Sequence, residues 1–209
     1  MKTCHGSSPT NVLHVGAHTG EEAKSYFDNG AQTVVWFEAN DALIPELTKH
    51  VSQFDLKQQI VPLALWDKNE TLIFKITNNN QSSSFFDLDK HSSYYPEITV
   101  TTEKEVNAYR FDNIVYKENL LICNNFDFIN IDTQGAELAI LKGMGDYLNS
   151  SSLKGIYLEI NREFLYKNIP LVSEIDDYLR KFNFVRLISK WTKDGWGDAI
   201  YIKQNEMLI

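Results

Sequence analysis

The sequence predicts an α/β fold: a mostly parallel sheet with helices on both faces. Three observations lead there. First, an apolar run of strand length, Thr33 to Phe37, lacks the polar alternation of a half-exposed strand. Such runs are buried on both faces, the condition of strands in a parallel sheet. Second, helical patterns separate most of these runs, and strands alternating with helices build βαβ units. Third, the run Val12 to Val15 ends in Gly16 and Gly20, and a helical pattern follows at once. A buried strand that turns tightly into a helix reads this way. Ligands of such sheets bind beyond the carboxyl ends of the strands, where strand order reverses. The loops after Val15, Phe37, Leu65, Ile131 and Ile160 would therefore open onto one crevice.

Each element follows from local pattern. Gly16 and Gly20 permit backbone conformations and close approaches that a side chain would block. Thr19 and Glu22 have the spacing of a capping box, which starts a helix over Glu21 to Asn29 with Ala23, Tyr26 and Phe27 on one face. Gly30 is placed to end it. After the Thr33–Phe37 strand, Asn40 or Asp41 caps a helix carrying Leu43, Leu47 and Val51 at helical spacing. Ile60 to Trp66 is a third apolar run, broken by Pro62. Thr71 to Thr77 and Ile98 to Tyr109 read as strands. Between them lie a polar loop (residues 78–84) and an irregular stretch, Phe85 to Glu97, a length that often marks function. Alternation then resumes. A strand, Phe126 to Ile131, ends in Asp132, and a helix spans Gly135 to Tyr147 with Leu138, Ile140, Leu141 and Met144. Gly155 to Ile160 is a strand, and Leu171 to Phe182 a helix with Ser173 and Asp176 spaced to cap it. Phe184 to Ile188 and Asp198 to Lys203 follow with no helix between them, which predicts an antiparallel edge pair. No linker or repeat divides the 209 residues. One domain over 1–209 is expected, with a strand and loop insertion at about 71–110.

Composition narrows the partners. The net charge is −8 and the sequence pI about 5.1, with no basic stripe for a nucleic-acid backbone. No run approaches transmembrane length, and Met1 to Gly6 has no apolar leader. Two cysteines, Cys4 and Cys123, make no disulfide framework, so a cytoplasmic location is expected.

The glycine turn carries the first chemistry. Glu38 lies eighteen residues past Gly20, at the end of the second strand. An acid there can accept both hydroxyls of a ribose. A dinucleotide site needs glycine at the first, third and sixth places of the turn; here these are Gly16, His18 and Glu21. A bulky imidazole and an acid in the path of a pyrophosphate disfavour NAD and FAD. S-adenosylmethionine, a nucleoside with a cationic sulfonium and no phosphate, meets no such conflict. Asp132 ends a strand at the predicted crevice. It either faces the sulfonium, the methionine ammonium or the acceptor, or caps its own helix. Glu159 sits inside Ile156 to Ile160. It is either a base with a raised pKa or half of a buried pair with a basic residue such as Arg162. His14 reads as a satisfied core histidine, His18 as a ligand contact, and His91 as a lone loop histidine with a reserve catalytic role. Tyr94, Tyr95, Trp191 and Trp196 are candidates for a platform under a sugar ring. Asn161 joins Tyr95 and Trp196 as a substrate-binding candidate. His14 and His18 are not on a helix, and no metal site is expected.

Val12 to Gly20, Phe126 to Glu137 with its Ile131-Asp132-Thr133-Gln134-Gly135-Ala136-Glu137 block, Leu141-Lys142-Gly143, and Gly195 to Ala199 together resemble the FkbM family of S-adenosylmethionine-dependent methyltransferases. Ser82-Ser83-Ser84, His91 and Tyr95-Pro96 are similar to a subgroup of it. The resemblance implies a Rossmann-like class I methyltransferase fold, with seven strands and the last antiparallel between its neighbours. It also implies O-methylation, often of sugars or natural products. By that likeness Gly16, Ala17, His18 and Gly20 serve the methionine end, Glu38 and Ala39 the ribose, and Ala64 and Leu65 the adenine. Many methyltransferases of this fold carry an acid two residues before the first glycine. His14 stands there instead, and the contact to the cofactor's amino group passes to Asp132. The expected activity is O-methylation of a small-molecule or glycan acceptor, with Asp132 or Glu159 as base. The alternatives are an NAD-dependent oxidoreductase and a nucleoside-binding module without turnover.

Overall fold

The computed structural model describes residues 8–116 and 122–207. In chain order the first half contains β1 (Asn11–Val15), α1 (Ala23–Asp28), β2 (Thr33–Phe37), α2 (Ile44–Val51), β3 (Lys57–Val61), β4 (Ala64–Leu65), β5 (Glu70–Thr77), α3 (His91–Tyr94) and β6 (Val100–Tyr109). The second half contains β7 (Phe128–Ile131), α4 (Glu137–Met144), β8 (Gly155–Asn161), α5 (Val172–Arg180), β9 (Phe184–Trp191) and β10 (Trp196–Lys203).

Seven strands form the main sheet in the order β3-β2-β1-β7-β8-β10-β9. All neighbours from β3 to β8 are parallel, and β10 runs antiparallel to both β8 and β9. The final two strands are thus a hairpin, but its second strand is inserted inside the sheet and its first forms the edge. The central strands β1, β2 and β7 are mostly apolar and buried because both faces are covered. Leu13, Val15, Val35, Phe37, Ile129 and Ile131 enter one core cluster. Val12, Val34, Trp36 and Phe128 enter the other. This division is the two-residue period of a strand packed on both sides.

Several local expectations change. Helix α1 starts at Ala23, and its N-cap residue Glu22 makes no side-chain cap, so Thr19 and Glu22 are not a capping box. Phe27 is exposed; Ala23 and Tyr26 form the buried face. Gly30 does end the helix: it has φ +82° and donates to Phe27 O while Ala31 donates to Tyr26 O, the paired bonds of a Schellman stop. The run Ile60 to Trp66 is not one strand. Pro62 cannot donate to a ladder, β3 stops at Val61, and β4 belongs to a separate three-stranded sheet ordered β4-β6-β5. Asp176 and Ser173 do not cap α5. Glu174 accepts the Leu171 amide at 2.9 Å, and Asp176 instead takes Arg186 and the Tyr201 hydroxyl. Asn40 caps as expected, accepting from the Ala42 amide. Cys4 lies outside the described residues.

Gly16 shows why the turn is built on glycine. Its φ is +84°, and a Cβ there would sit 1.8 Å from the Asp132 carbonyl oxygen. The close approach it permits is that of the β7 end to the β1 end, which brings Asp132 beside the glycine turn. The gap between β1 and β7 is also where strand order reverses.

Candidate active site

A cavity of about 490 Å³ opens at the carboxyl ends of the parallel strands. That is ample for a nucleoside-sized ligand with room for a second molecule. One wall is apolar, with Phe37, Leu43, Leu63, Ala64, Leu65 and Phe74; Ala39 and Asn40 continue it. Glu38 stands at its edge. Buried at 6% exposure, it accepts the His18 amide and the Asn40 amide, each at 2.7 Å. Burial raises its pKa, and the backbone N–H donors of Asn40 and His18 oppose the rise. Each carboxylate oxygen has a further acceptor position, so a pair of vicinal hydroxyls can still be bound. The two amides fix where that carboxylate points.

His18 has φ +45° and its ring Nδ1 lies 2.7 Å from Glu21. It lines the cavity, as do Gly16 and Glu22. Ala17 and Gly20 do not. Ala17 packs into the second core cluster, and Gly20 lies against Leu47 and Val51 of α2. Both shape the turn from behind. His14 is both a core residue and a cavity residue. Its Nδ1 meets the Tyr26 hydroxyl at 2.9 Å, and that hydroxyl also accepts from the Asn130 amide at 2.8 Å. Burial lowers the His14 pKa to about 4, so the ring is neutral at neutral pH.

The floor holds the carboxylates. Asp132 and Glu159 end adjacent strands β7 and β8 and are joined by one side chain. The Gln134 amide nitrogen donates to Asp132 Oδ1 at 2.9 Å and to Glu159 Oε2 at 2.7 Å. Its carbonyl oxygen accepts from the Tyr166 hydroxyl at 2.9 Å. The reverse amide orientation would face an oxygen to two carboxylates, so the chemistry fixes the assignment. Glu159 is buried, and also accepts from Asn161 Nδ2 at 3.2 Å. Burial drives its pKa well above the usual carboxylate range, and the charges of Asp132 and Glu137 push it further. Asp132 stands open to the cavity but deep in the protein. Its pKa is also raised by its low-dielectric surroundings, while Gln134 and His14 hold it down. Arg162 does not pair with Glu159; its guanidinium lies 3.8 Å over the Trp191 ring. Nor does Asp132 cap α4. Glu137 instead holds the turn before α4: it accepts from the Thr133 amide, the Thr133 hydroxyl and the Gly135 amide, and burial pushes its pKa up to about 7.

The far wall comes from the middle of the chain. Asn79 to Ser83, His91, Tyr95 and Ile98 line it, with Leu165 and Trp196 from the second half. His91 is not exposed in a loose loop. It starts α3, buried at 5% exposure, with Nε2 at 3.2 Å from the Ser82 hydroxyl. Its ring packs between Tyr95 and Tyr166 at 5.0 and 5.3 Å, its Nδ1 has no partner, and burial lowers its pKa. Tyr95 and Trp196 do meet: the indole nitrogen donates to the Tyr95 hydroxyl at 3.3 Å, which donates to Asp194 at 2.9 Å. Tyr94 and Trp191 are not on the cavity wall. Asn161 is buried behind Glu159, a support for that carboxyl and not an acceptor contact. Gln134 and Tyr166 carry no local sequence signal, since a neutral amide and a phenol gain their roles only from partners 25 and 32 residues apart. Among the described residues no cluster of three or more His, Cys, Asp or Glu could hold a metal, and no helix is long and apolar enough to cross a membrane.

The residues present fit S-adenosylmethionine. An apolar slot beside Glu38 suits a nucleoside, and the carboxyl pair across the cavity suits a cationic group. Solved structures share the fold. The chain aligns over 96% of its length with magnesium protoporphyrin IX methyltransferase (ChlM) from Synechocystis PCC 6803, solved with bound SAM; identity is 10%, TM-score 0.54, and 73% of that chain is covered. It aligns over 94% with M. capricolum TrmK in complex with S-adenosylhomocysteine, at 12% identity and TM-score 0.51. The ribosomal protein L11 methylase from Lactobacillus delbrueckii subsp. bulgaricus aligns over 94% of the chain and 72% of its own, at 14% identity and TM-score 0.50. The chain spans 62% of the length of TrmK. The named acceptors of these proteins differ, so the shared fold does not choose one. No curated protein sequence matches. A family profile, the methyltransferase FkbM domain, matches residues 14–186, and the chain belongs to this FkbM family of S-adenosylmethionine-dependent methyltransferases.

Proposed function

We propose that the protein methylates a hydroxyl of a sugar or glycan-type acceptor, using S-adenosylmethionine. The observation that carries this reading is the Asp132–Gln134–Glu159 bridge. A neutral hydroxyl must lose its proton as its oxygen is methylated, and a carboxyl pair in the cavity floor can take it. When bound, S-adenosylmethionine supplies an electrophilic methyl carbon on a sulfonium. The chain's part is to position and to accept a proton. Glu38 holds the ribose hydroxyls, and the apolar wall holds the adenine. Tyr95 and Trp196 offer aromatic surface to the acceptor. Asp132 and Glu159 share a donor and titrate as a unit, and a nearby cation favours their charged forms. Orientation of the two reactants supplies much of the acceleration of an in-line transfer. Glu21 beside His18 in the glycine turn disfavours a pyrophosphate, which argues against NAD.

The test is a mass-shift screen of glycosides, glycans and small alcohols with S-adenosylmethionine. The reading expects one methyl added to oxygen. Methyl transfer confined to nitrogen, carbon or sulfur across the panel would contradict it.

A further inference from the structure

We propose that the acceptor is an uncharged polyhydroxy compound, and that the site rejects acceptors with a phosphate or carboxylate near the reacting hydroxyl. The inference rests on the reading of O-methyl transfer and names its substrate class.

Charge carries the argument. Five carboxyls line the cavity, Glu21, Glu22, Glu38, Asp132 and Glu159, and burial raises the pKa of all of them but Glu21. Among the described residues no lysine or arginine lines it. Three histidines line it. His14 is neutral at neutral pH, burial lowers the His91 pKa, and His18 is bonded to Glu21. Basic side chains on neighbouring segments are held elsewhere. Lys75 faces Asp87, Lys90 bonds Glu163, Lys104 bonds Asp41, and Arg162 lies on Trp191. A cleft lined by one sign of charge with low-dielectric walls focuses its field, and like charges brought together in such a place repel.

The chemistry of the far wall agrees. Asn79, Asn80, Gln81, Ser82 and Ser83 are five consecutive uncharged polar residues on the cavity. Amides and hydroxyls both donate and accept, which matches a polyol and gives an anion no counter-charge. Tyr95 and Trp196 complete that side with aromatic surface.

The experiment compares matched probes with the full chain and S-adenosylmethionine: methyl hexosides, the corresponding 6-phosphates and uronates, and the 2-amino analogues. The inference expects O-methylation of neutral members and at least about 100-fold lower kcat/KM for the phosphate and uronate of the same sugar, or ~2.7 kcal/mol at 1.36 kcal/mol per decade. Added salt should narrow the gap by screening. Gln81→Lys, which adds a cation on an exposed side chain of the wall, should narrow it too. An anionic member methylated as well as its neutral parent overturns the inference and leaves the O-methyl reading standing. Methylation of the amino group alone, or of no hydroxyl in the panel, overturns that reading and the inference with it.

Discussion

Gln134→Ala removes both donors that Asp132 and Glu159 share. The rest of the local structure has other anchors. The Tyr166 hydroxyl keeps the Ser82 carbonyl at 3.2 Å, and Ser84 still bonds the backbone carbonyl of residue 134. The backbone there is left-handed, φ +55°, a strain alanine bears as glutamine does. A hydrogen bond to a charged group contributes about 1.5–3 kcal/mol, and one pKa unit is about 1.36 kcal/mol. Losing one such bond therefore raises the apparent pKa of the carboxyl pair by about 1–2 units. The other groups facing the pair are His14, Glu22 and Asp198 around Asp132, and Glu137 beside Glu159; all remain in the variant. A base acts deprotonated, so a raised pKa means that activity is lost at a higher pH as the pH falls. On the acid limb kcat/KM should be about 10–100-fold lower at a given pH, and above the raised pKa it should return to within several-fold of wild type. The assay is the pH profile of kcat/KM, with a thermal shift by S-adenosylhomocysteine confirming a folded variant. An acid limb that does not move, whatever happens to the plateau, would refute the reasoning.

Two further outcomes are expected. Glu38→Gln replaces one acceptor oxygen by an amide NH2 donor that faces the His18 or Asn40 N–H, and should cost about 1–3 kcal/mol of S-adenosylmethionine affinity by calorimetry; unchanged affinity in a folded variant removes Glu38 from the site. Gly16→Ala forces a Cβ against the Asp132 carbonyl, 1.8 Å away, at φ +84°. Left-handed strain of about 1–2 kcal/mol and a backbone shift of about 1–3 kcal/mol should lower the denaturant midpoint with an unchanged m-value, and a midpoint equal to wild type would contradict the packing described for β1 and β7.

The βαβ frame was legible because its signals are local. Unbroken apolar runs gave the buried strands, Gly30 gave a helix stop, and the position of Glu38 after β2 pointed to the cavity edge. Asp132 and Glu159 were readable as acids at strand ends. What escaped depends on contacts distant in sequence. His91 looks like a loop histidine until Tyr166 and Ser82 enclose it. Pro62 marks a break, but nothing nearby says that the chain beyond it joins a second sheet. The Thr19 and Glu22 spacing fits a cap, yet the left-handed His18 carries the chain through another turn before α1. Gly20 fits a ligand turn equally well, and only the packing of Leu47 and Val51 shows that it serves the fold. Gln134 sits in a block that resembles the family, but its role needs Glu159 and Tyr166 in place.

The central claim is methyl transfer to oxygen with proton removal by the floor carboxyls. It is tested most directly by single-turnover transfer of a carbon-labelled methyl group from S-adenosylmethionine, with wild type, Asp132→Asn and Glu159→Gln compared on one neutral glycoside. The account predicts label on an acceptor oxygen in wild type, and a rate lower by about 100-fold or more in at least one variant, the lower range for loss of a general base. Label on no oxygen, or rates in both variants within a few-fold of wild type, would contradict it.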